Sequence, residues 1–254
     1  MVAGHGLLPL MYPSAARGRR RRQAGSTPAP PGPARTRDWD GSAGFDQIVV
    51  CAPGACATLD GGPITVAVYW KPEEARSGGL LIARAGGANQ WGINYEPSAG
   101  SVQYFHAPAD FTGGPIGPVG EYQIIAFGKD SGAAVVRWHL WTQATGWMHF
   151  NGLSTGDNTA PDEIRLGWAF NRMDGNGAVF AVWAANLADA VLDASTLPTL
   201  LSGWSALSPA ALWPCNQLAA TDPIVDITGG GADQTSVIGT APPVSADVPP
   251  GFIF

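Results

Sequence analysis

The sequence predicts an all-β protein: a two-sheet antiparallel sandwich with one short helix and an extended basic N-terminal arm. Three observations predict it. Glu121 to Phe150 reads as three strands joined by two tight turns, with period-two alternation bounded by Gly, Asp and Ser. Short apolar runs separated by Gly- and Pro-rich turn clusters recur along the rest of the chain. Charged residues make up only 13% of it, against 34 Gly and 22 Pro, which suits a turn-rich β protein of low surface charge. Three strands cannot cover their own apolar face, so the remaining runs must supply a second layer.

In the central meander, Tyr122 to Phe127 is apolar, and Gly128, Lys129, Asp130, Ser131 and Gly132 break it. Val135 to Thr142 follows, with Val136, Trp138 and Leu140 on the buried face and Arg137 and His139 on the other. Gln143 to Gly146 is the second turn, and strand character resumes at Trp147 to Phe150. Before the meander, strands are expected at Gln47 to Val50, Ile64 to Lys71, Leu80 to Arg84, Trp91 to Tyr95 and Ser101 to His106. After it come Glu163 to Trp168 and Ala178 to Ala184. Leu197, Leu200, Leu201 and Trp204 fall at i, i+3, i+4 and i+7, the apolar stripe of a helix. Ser195 or Thr196 can cap it and Gly203 can stop it. Asp189 to Asp193 adds one short turn before it, and Ile224 to Asp226 and Ser236 to Ile238 read as extended pieces around Gly229-Gly230-Gly231.

Residues 1 to 38 read as an arm and 39 to 254 as the domain that folds without it. Pro9, Pro13 and the run Thr27 to Pro33 favour extended chain. Residues 1 to 37 hold seven Arg and no acid, so the arm is +7 and the remainder −13, against −6 for the whole chain. Such asymmetry points to an acidic partner for the arm, and nucleic acid, another protein and the body itself all qualify. No aromatic residue interleaves with Arg19, Arg20, Arg21 and Arg22, and the acidic body repels a polyanion, so a protein surface is expected rather than nucleic acid. Leu7, Leu8 and Tyr12 form an apolar plug beside that basic run. No apolar run approaches the roughly 20 residues of a membrane span, and no signal peptide is expected, because Leu7 to Met11 is short and the Arg cluster follows it.

Of three Cys, Cys51 and Cys56 flank a plausible turn, where buried free thiols or a small bridge both fit, and Cys215 stands apart. Glu73 and Glu74 are adjacent and Glu96, Glu121 and Glu163 isolated, so the paired carboxylates of sugar-bond hydrolysis are missing and no enzyme activity is expected. A turn at Gln143 to Gly146 places Leu140 opposite His149 and His139 opposite Phe150. The two imidazoles then face opposite sides of the sheet, and neither a metal nor a cofactor is expected. The loop around Asn171, Arg172, Asp174 and Asn176 supplies donors and acceptors for a ligand-binding rim.

The order PITVAVYWKP, a Gly-rich strand pair, the meander, DEIRLGWAFN and VFAVWAANLADAVL resembles a laminin-G-like, concanavalin-A-like jelly roll. The C-terminal block SPAALWPCNQ, IVDITGGGADQTSVIGT and VPPGF is similar to that of laminin-G-like proteins of actinobacterial phages and prophages, often minor tail or other virion proteins. The resemblance covers residues 39 to 254. It implies a non-enzymatic virion protein, made in the host cytoplasm and present in multiple copies on a phage tail or capsid. The arm would then bind other virion proteins, and the sandwich would serve host-surface glycan adhesion or capsid decoration. No segment matches the family's calcium site residue by residue.

Overall fold

The run Ile64–Pro72 is buried on both faces at nearly every position, so the sheet it belongs to has a layer on each side. The computed structural model describes residues 35–40, 47–51, 54–75, 77–96, 101–106, 109–112, 116–130, 135–153, 159–168, 174–194 and 197–252. Residues 31–254 form one contact unit, to which the following account applies. Leu7, Leu8, Tyr12 and Arg19 to Arg22 lie outside the described residues.

Two antiparallel sheets face each other. Sheet A runs in the order β10 (Gly146–Leu153), β9 (Val135–Thr142), β8 (Gln123–Lys129), β3 (Ile64–Pro72), β12 (Asp174–Trp183), β1 (Thr36–Asp40) and β15 (Val244–Ser245). β13 (Ala211–Pro214) also pairs with β12. Sheet B runs β14 (Gln234–Ile238), β2 (Gln47–Val50), β11 (Glu163–Trp168), β4 (Gly78–Ala85), β5 (Ala88–Glu96), β6 (Ser101–His106) and β7 (Ala109–Thr112). Alternate residues of each strand fill the space between them. Val66, Val68, Trp70, Phe127 and Trp138 of sheet A meet Leu81, Trp91, Ile93, Tyr95 and Tyr104 of sheet B in one buried cluster.

The intervening residues of sheet A make a second apolar face. Ala67, Tyr69, Ile124, Ala126, Ala181 and Trp183 pack outward under Leu192 of α1 (Asp189–Asp193) and Leu200 and Trp204 of α2 (Leu200–Ala206), with Phe252 of the C-terminal tail beside them. Trp183 and Trp204 meet edge to face, 5.4 Å apart. α2 runs through Gly203 to Ala206. The stop expected at that glycine fails because Trp204, one residue on, is buried on the outer cluster. The expected caps Ser195 and Thr196 lie outside the described residues.

Several strands and turns also depart from the pattern in the sequence, and β8 runs on through Gly128 and Lys129, where a break is expected. β1 takes in Thr36 and Arg37, which the charge count assigned to the arm. Its sequence, TRDWD, carries no strand signal; the strand is made by pairing with β12 and β15. Trp39 packs against Phe180, 5.7 Å away. Arg37 is 1% exposed and its guanidinium donates to Pro242 O (3.0 Å), Asp222 O (2.6 Å) and Gln217 Oε1 (3.4 Å). β12 begins at Asp174, so the rim expected at 171 to 176 is half strand. Gly177 permits this, because a Cβ there would run into the Trp39 ring. Ile224 to Asp226 is not a strand. Instead the buried Asp226 carboxylate accepts from the backbone N–H of Leu212 and Thr228, both at 3.0 Å, and from the Thr228 hydroxyl. A third backbone donor, Ala232 N, lies at 3.4 Å. The resulting turn holds Gly229 to Gly231 against β13.

Two expected outcomes follow from this packing. Trp138 is 1% exposed and stacks on Phe150 (4.7 Å) and Phe127 (6.0 Å). Trp138→Ala should therefore cost about 3–5 kcal/mol in urea unfolding, as other large core truncations do; a loss under ~1 kcal/mol would contradict the face assignment. A chain beginning at Pro31 should melt like the full chain. One beginning at Asp38 lacks Thr36 and Arg37 and should melt roughly 10 °C lower, from the loss of charge-assisted hydrogen bonds. Equal melting of the two would show that Arg37 contributes nothing.

Candidate functional site

Where the cover of sheet A's outer face is incomplete, a cleft of about 420 Å³ opens. Cross-strand register builds its floor. Tyr69 on β3 lies opposite Ile124 on β8, and Ile124 opposite Trp141 on β9, which puts the three in one row. The Tyr69 ring meets Tyr122 at 5.5 Å and Trp141 edge-on at 6.3 Å. Lys71 sits two residues along β3 from Tyr69, on the same face, and forms ion pairs with Asp247 and, at 3.4 Å, with Glu73. The Tyr122 hydroxyl donates to Asp247 O at 2.7 Å. Glu121, Gln143 and Pro250 complete the rim.

Beneath the cleft floor, the buried Tyr69 hydroxyl has no hydrogen bond. Burial raises the Tyr69 and Tyr122 phenols well above their usual range, so both remain neutral donors at neutral pH. Chemically the cleft offers an aromatic wall, a cation and carboxylates. That combination suits a small ligand with apolar faces and many hydroxyls.

The neighbouring row of the same face carries the imidazoles. The turn spans Gln143 to Thr145, with Gly146 in the left-handed region at φ 67° and paired with Thr142. A three-residue turn closed by a left-handed glycine is a common hairpin form. This register puts His139 opposite His149, not opposite Phe150. The one-residue difference moves both rings to one face, correcting the expectation that they are separated. Gly146 was the signal for it. His139 Nδ1 and His149 Nδ1 are 2.7 Å apart, and His149 Nε2 is 2.8 Å from Asp193 Oδ1. His139 is fully buried beneath α1. Burial pushes it down to about 4, His149 adds to that, and Asp189 opposes it.

The expected rim residues are placed differently. Asn171 and Arg172 lie outside the described residues. Asp174 is 7% and Asn176 1% exposed on β12. Asn176 Oδ1 lies 3.3 Å from the Thr36 hydroxyl, and its Nδ2 donates to Glu73 Oε1 at 2.6 Å. Pairing with β1 thus turns Asn176 inward, where its amide ties strands together instead of meeting solvent. A second concavity, by β11, is braced by Arg84 and Arg165, which both hold Glu163 Oε1. Cys51 and Cys56 form no disulfide, with Sγ atoms 2.7 Å apart in hydrogen-bond contact, and Cys215 is buried and likewise unbridged.

No protein-family model matches the chain, and no curated protein is similar to it in sequence. Solved structures do share its fold. A heptameric SAP-like pentraxin from Limulus polyphemus superposes with TM-score 0.52 at 11% identity, over 83% of this chain and 96% of that one. A candidate carbohydrate-binding protein of Bacteroides ovatus gives 0.52 at 11% identity, over 84% of this chain and 59% of that one. Domains LG4-5 of the mouse laminin α1 chain give 0.41 at 11%, over 58% of this chain and 40% of that one. The first two place the chain in the jelly-roll sandwich architecture. No helix among the described residues is long and apolar enough to cross a membrane.

Proposed function

We propose that the protein is a non-enzymatic glycan-binding module of a phage virion, of the minor tail type, which binds sugar in the cleft on the outer face of sheet A. The observation that carries the binding role is the row of Tyr69, Tyr122 and Trp141 beneath a polar rim of Lys71, Glu121 and Asp247. Sugars present apolar C–H faces to aromatic rings and hydroxyls to charged and polar groups, so both halves of the cleft have a use. The Bacteroides ovatus neighbour, itself a candidate carbohydrate-binding protein, has the same architecture. The virion role rests on the resemblance of residues 208 to 252 to phage laminin-G-like proteins. Tail and capsid both fit it.

Trp141 is half-buried at the cleft wall, so Trp141→Ala should remove a binding surface without emptying the core. On a glycan array and by titration calorimetry, binding should weaken about tenfold or more, the equivalent of roughly 1.4 kcal/mol of lost apolar contact. A wild-type protein that binds no glycan, or a variant that binds as tightly as wild type, would refute the assignment of this cleft.

The arm supports the second part of the reading, attachment to other virion proteins. Six of its seven Arg lie before β1, where no acid neutralises them within the arm. Contacts of exposed charge are screened by salt, whereas the apolar plug of Leu7, Leu8 and Tyr12 is not. Replacing Arg19, Arg20, Arg21 and Arg22 with Ser should reduce incorporation into particles and flatten its salt dependence. Particles that carry a chain lacking residues 1 to 30 at normal copy number would move the attachment surface onto the sandwich.

A further inference from the structure

The β9–β10 hairpin presents two opposed imidazoles on the outer face of sheet A, and α1 lies over them. Asp189 and Asp193 are four residues apart, so they share one side of that helical turn. Asp193 Oδ1 is 2.8 Å from His149 Nε2. This contact keeps the His149 proton on Nε2 and leaves its Nδ1 lone pair aimed at His139 Nδ1, 2.7 Å away. Asp189 Oδ1 is a buried acceptor without a hydrogen bond, 3.8 Å from His139 Nδ1. One ligand atom from each of His139, His149 and Asp189 lies within 4.8 Å of the other two.

We infer that His139 Nδ1, His149 Nδ1 and Asp189 Oδ1 form a binding site for one divalent transition-metal ion of the zinc type, with Asp193 orienting His149 from outside. Two imidazoles and one carboxylate select such an ion over calcium or magnesium, which prefer sets made wholly of oxygen. A carboxylate behind a ligating imidazole is the usual partner of a metal-bound histidine. Without an ion, one proton shared between the Nδ1 atoms joins the two rings but leaves His139 Nε2 and Asp189 Oδ1 buried without hydrogen bonds. An ion between the rings engages all three atoms. Seating it about 2.0–2.1 Å from each nitrogen requires the rings to part by roughly 0.6 Å. β10 is the edge strand of the sheet and His149 is 26% exposed, so there is room for that shift. Asp189 is 47% exposed, which leaves the outer side open for ion entry and for a water as fourth ligand.

The site would join α1 to the edge hairpin one cross-strand row from Trp141. Its occupancy is read without reference to glycan binding, so it stands or falls independently of the cleft. The test uses the untagged full chain after chelator treatment, titrated calorimetrically with zinc chloride and, for coordination, with cobalt chloride followed by visible absorption. One equivalent of zinc should bind with micromolar or tighter affinity and raise the melting temperature. Cobalt should give the absorption of a four-coordinate ion with nitrogen ligands. His149→Asn and Asp189→Asn replace partly exposed side chains, so the fold should persist, as checked by circular dichroism, while zinc affinity falls at least tenfold. Asp193→Asn should weaken binding by about 10–100-fold. Absence of stoichiometric zinc binding would overturn the site. So would retention of full affinity in both His149→Asn and Asp189→Asn, which would place the ion on other residues such as His5. Displacement of zinc by equimolar calcium would refute the nitrogen-ligand set.

Discussion

The burial of sheet A on both faces is the constraint from which the rest of the structure follows. β3, β8 and β12 carry apolar side chains at successive positions, so one set fills the space against sheet B and the next needs cover of its own. α1, α2 and the C-terminal tail supply that cover. Without them, Tyr69, Ile124, Ala126 and Trp183 would lie open to water, a patch of the kind that drives association. The helices are short and rely on this burial: α1 has five residues and α2 seven, and neither has a side-chain cap at its N-terminus. Helices so short have little stability apart from the surface they cover.

Two buried polar groups hold the cover in register. The Arg37 guanidinium gathers carbonyls of Asp222 and Pro242 from distant parts of the tail. The Asp226 carboxylate gathers backbone donors from β13 and the glycine turn. Each is a charge removed from water, which is tolerable only because several partners surround it. Together they fix the path of the chain after β13. That path brings Asp247 to Lys71 and Pro250 to the cleft, so the rim depends on groups far from it.

The cleft and the imidazole pair are two consequences of one geometry. Each arises where an outer-face residue of β9 meets the edge of the cover: Trp141 where the tail ends, His139 beneath α1. Adjacent rows of a sheet thus carry different chemistry at close range, aromatic in one and nitrogen-ligand in the next.

The sequence by itself determined what depends on local periodicity. The limits of β9 and β11, the inward face of Val136, Trp138 and Leu140, and the turn of helix from Asp189 to Asp193 all follow from alternation and turn residues. The two-sheet architecture follows too, because so many short apolar strands have no other way to bury themselves. Only the tertiary structure decided what depends on pairing between distant segments. β1 is polar in sequence and becomes a strand because β12 and β15 flank it. Asp174 and Asn176 look like loop ligands until that same pairing turns them inward. The meeting of His139 and His149 turned on one residue in the Gln143 to Gly146 turn, since a slip of one position exchanges the faces of a strand. The cleft could not be read at all, because its walls lie nearly 180 residues apart in the chain, from Tyr69 to Asp247. Periodicity tells which side chains share a face; only the packed fold tells which faces meet.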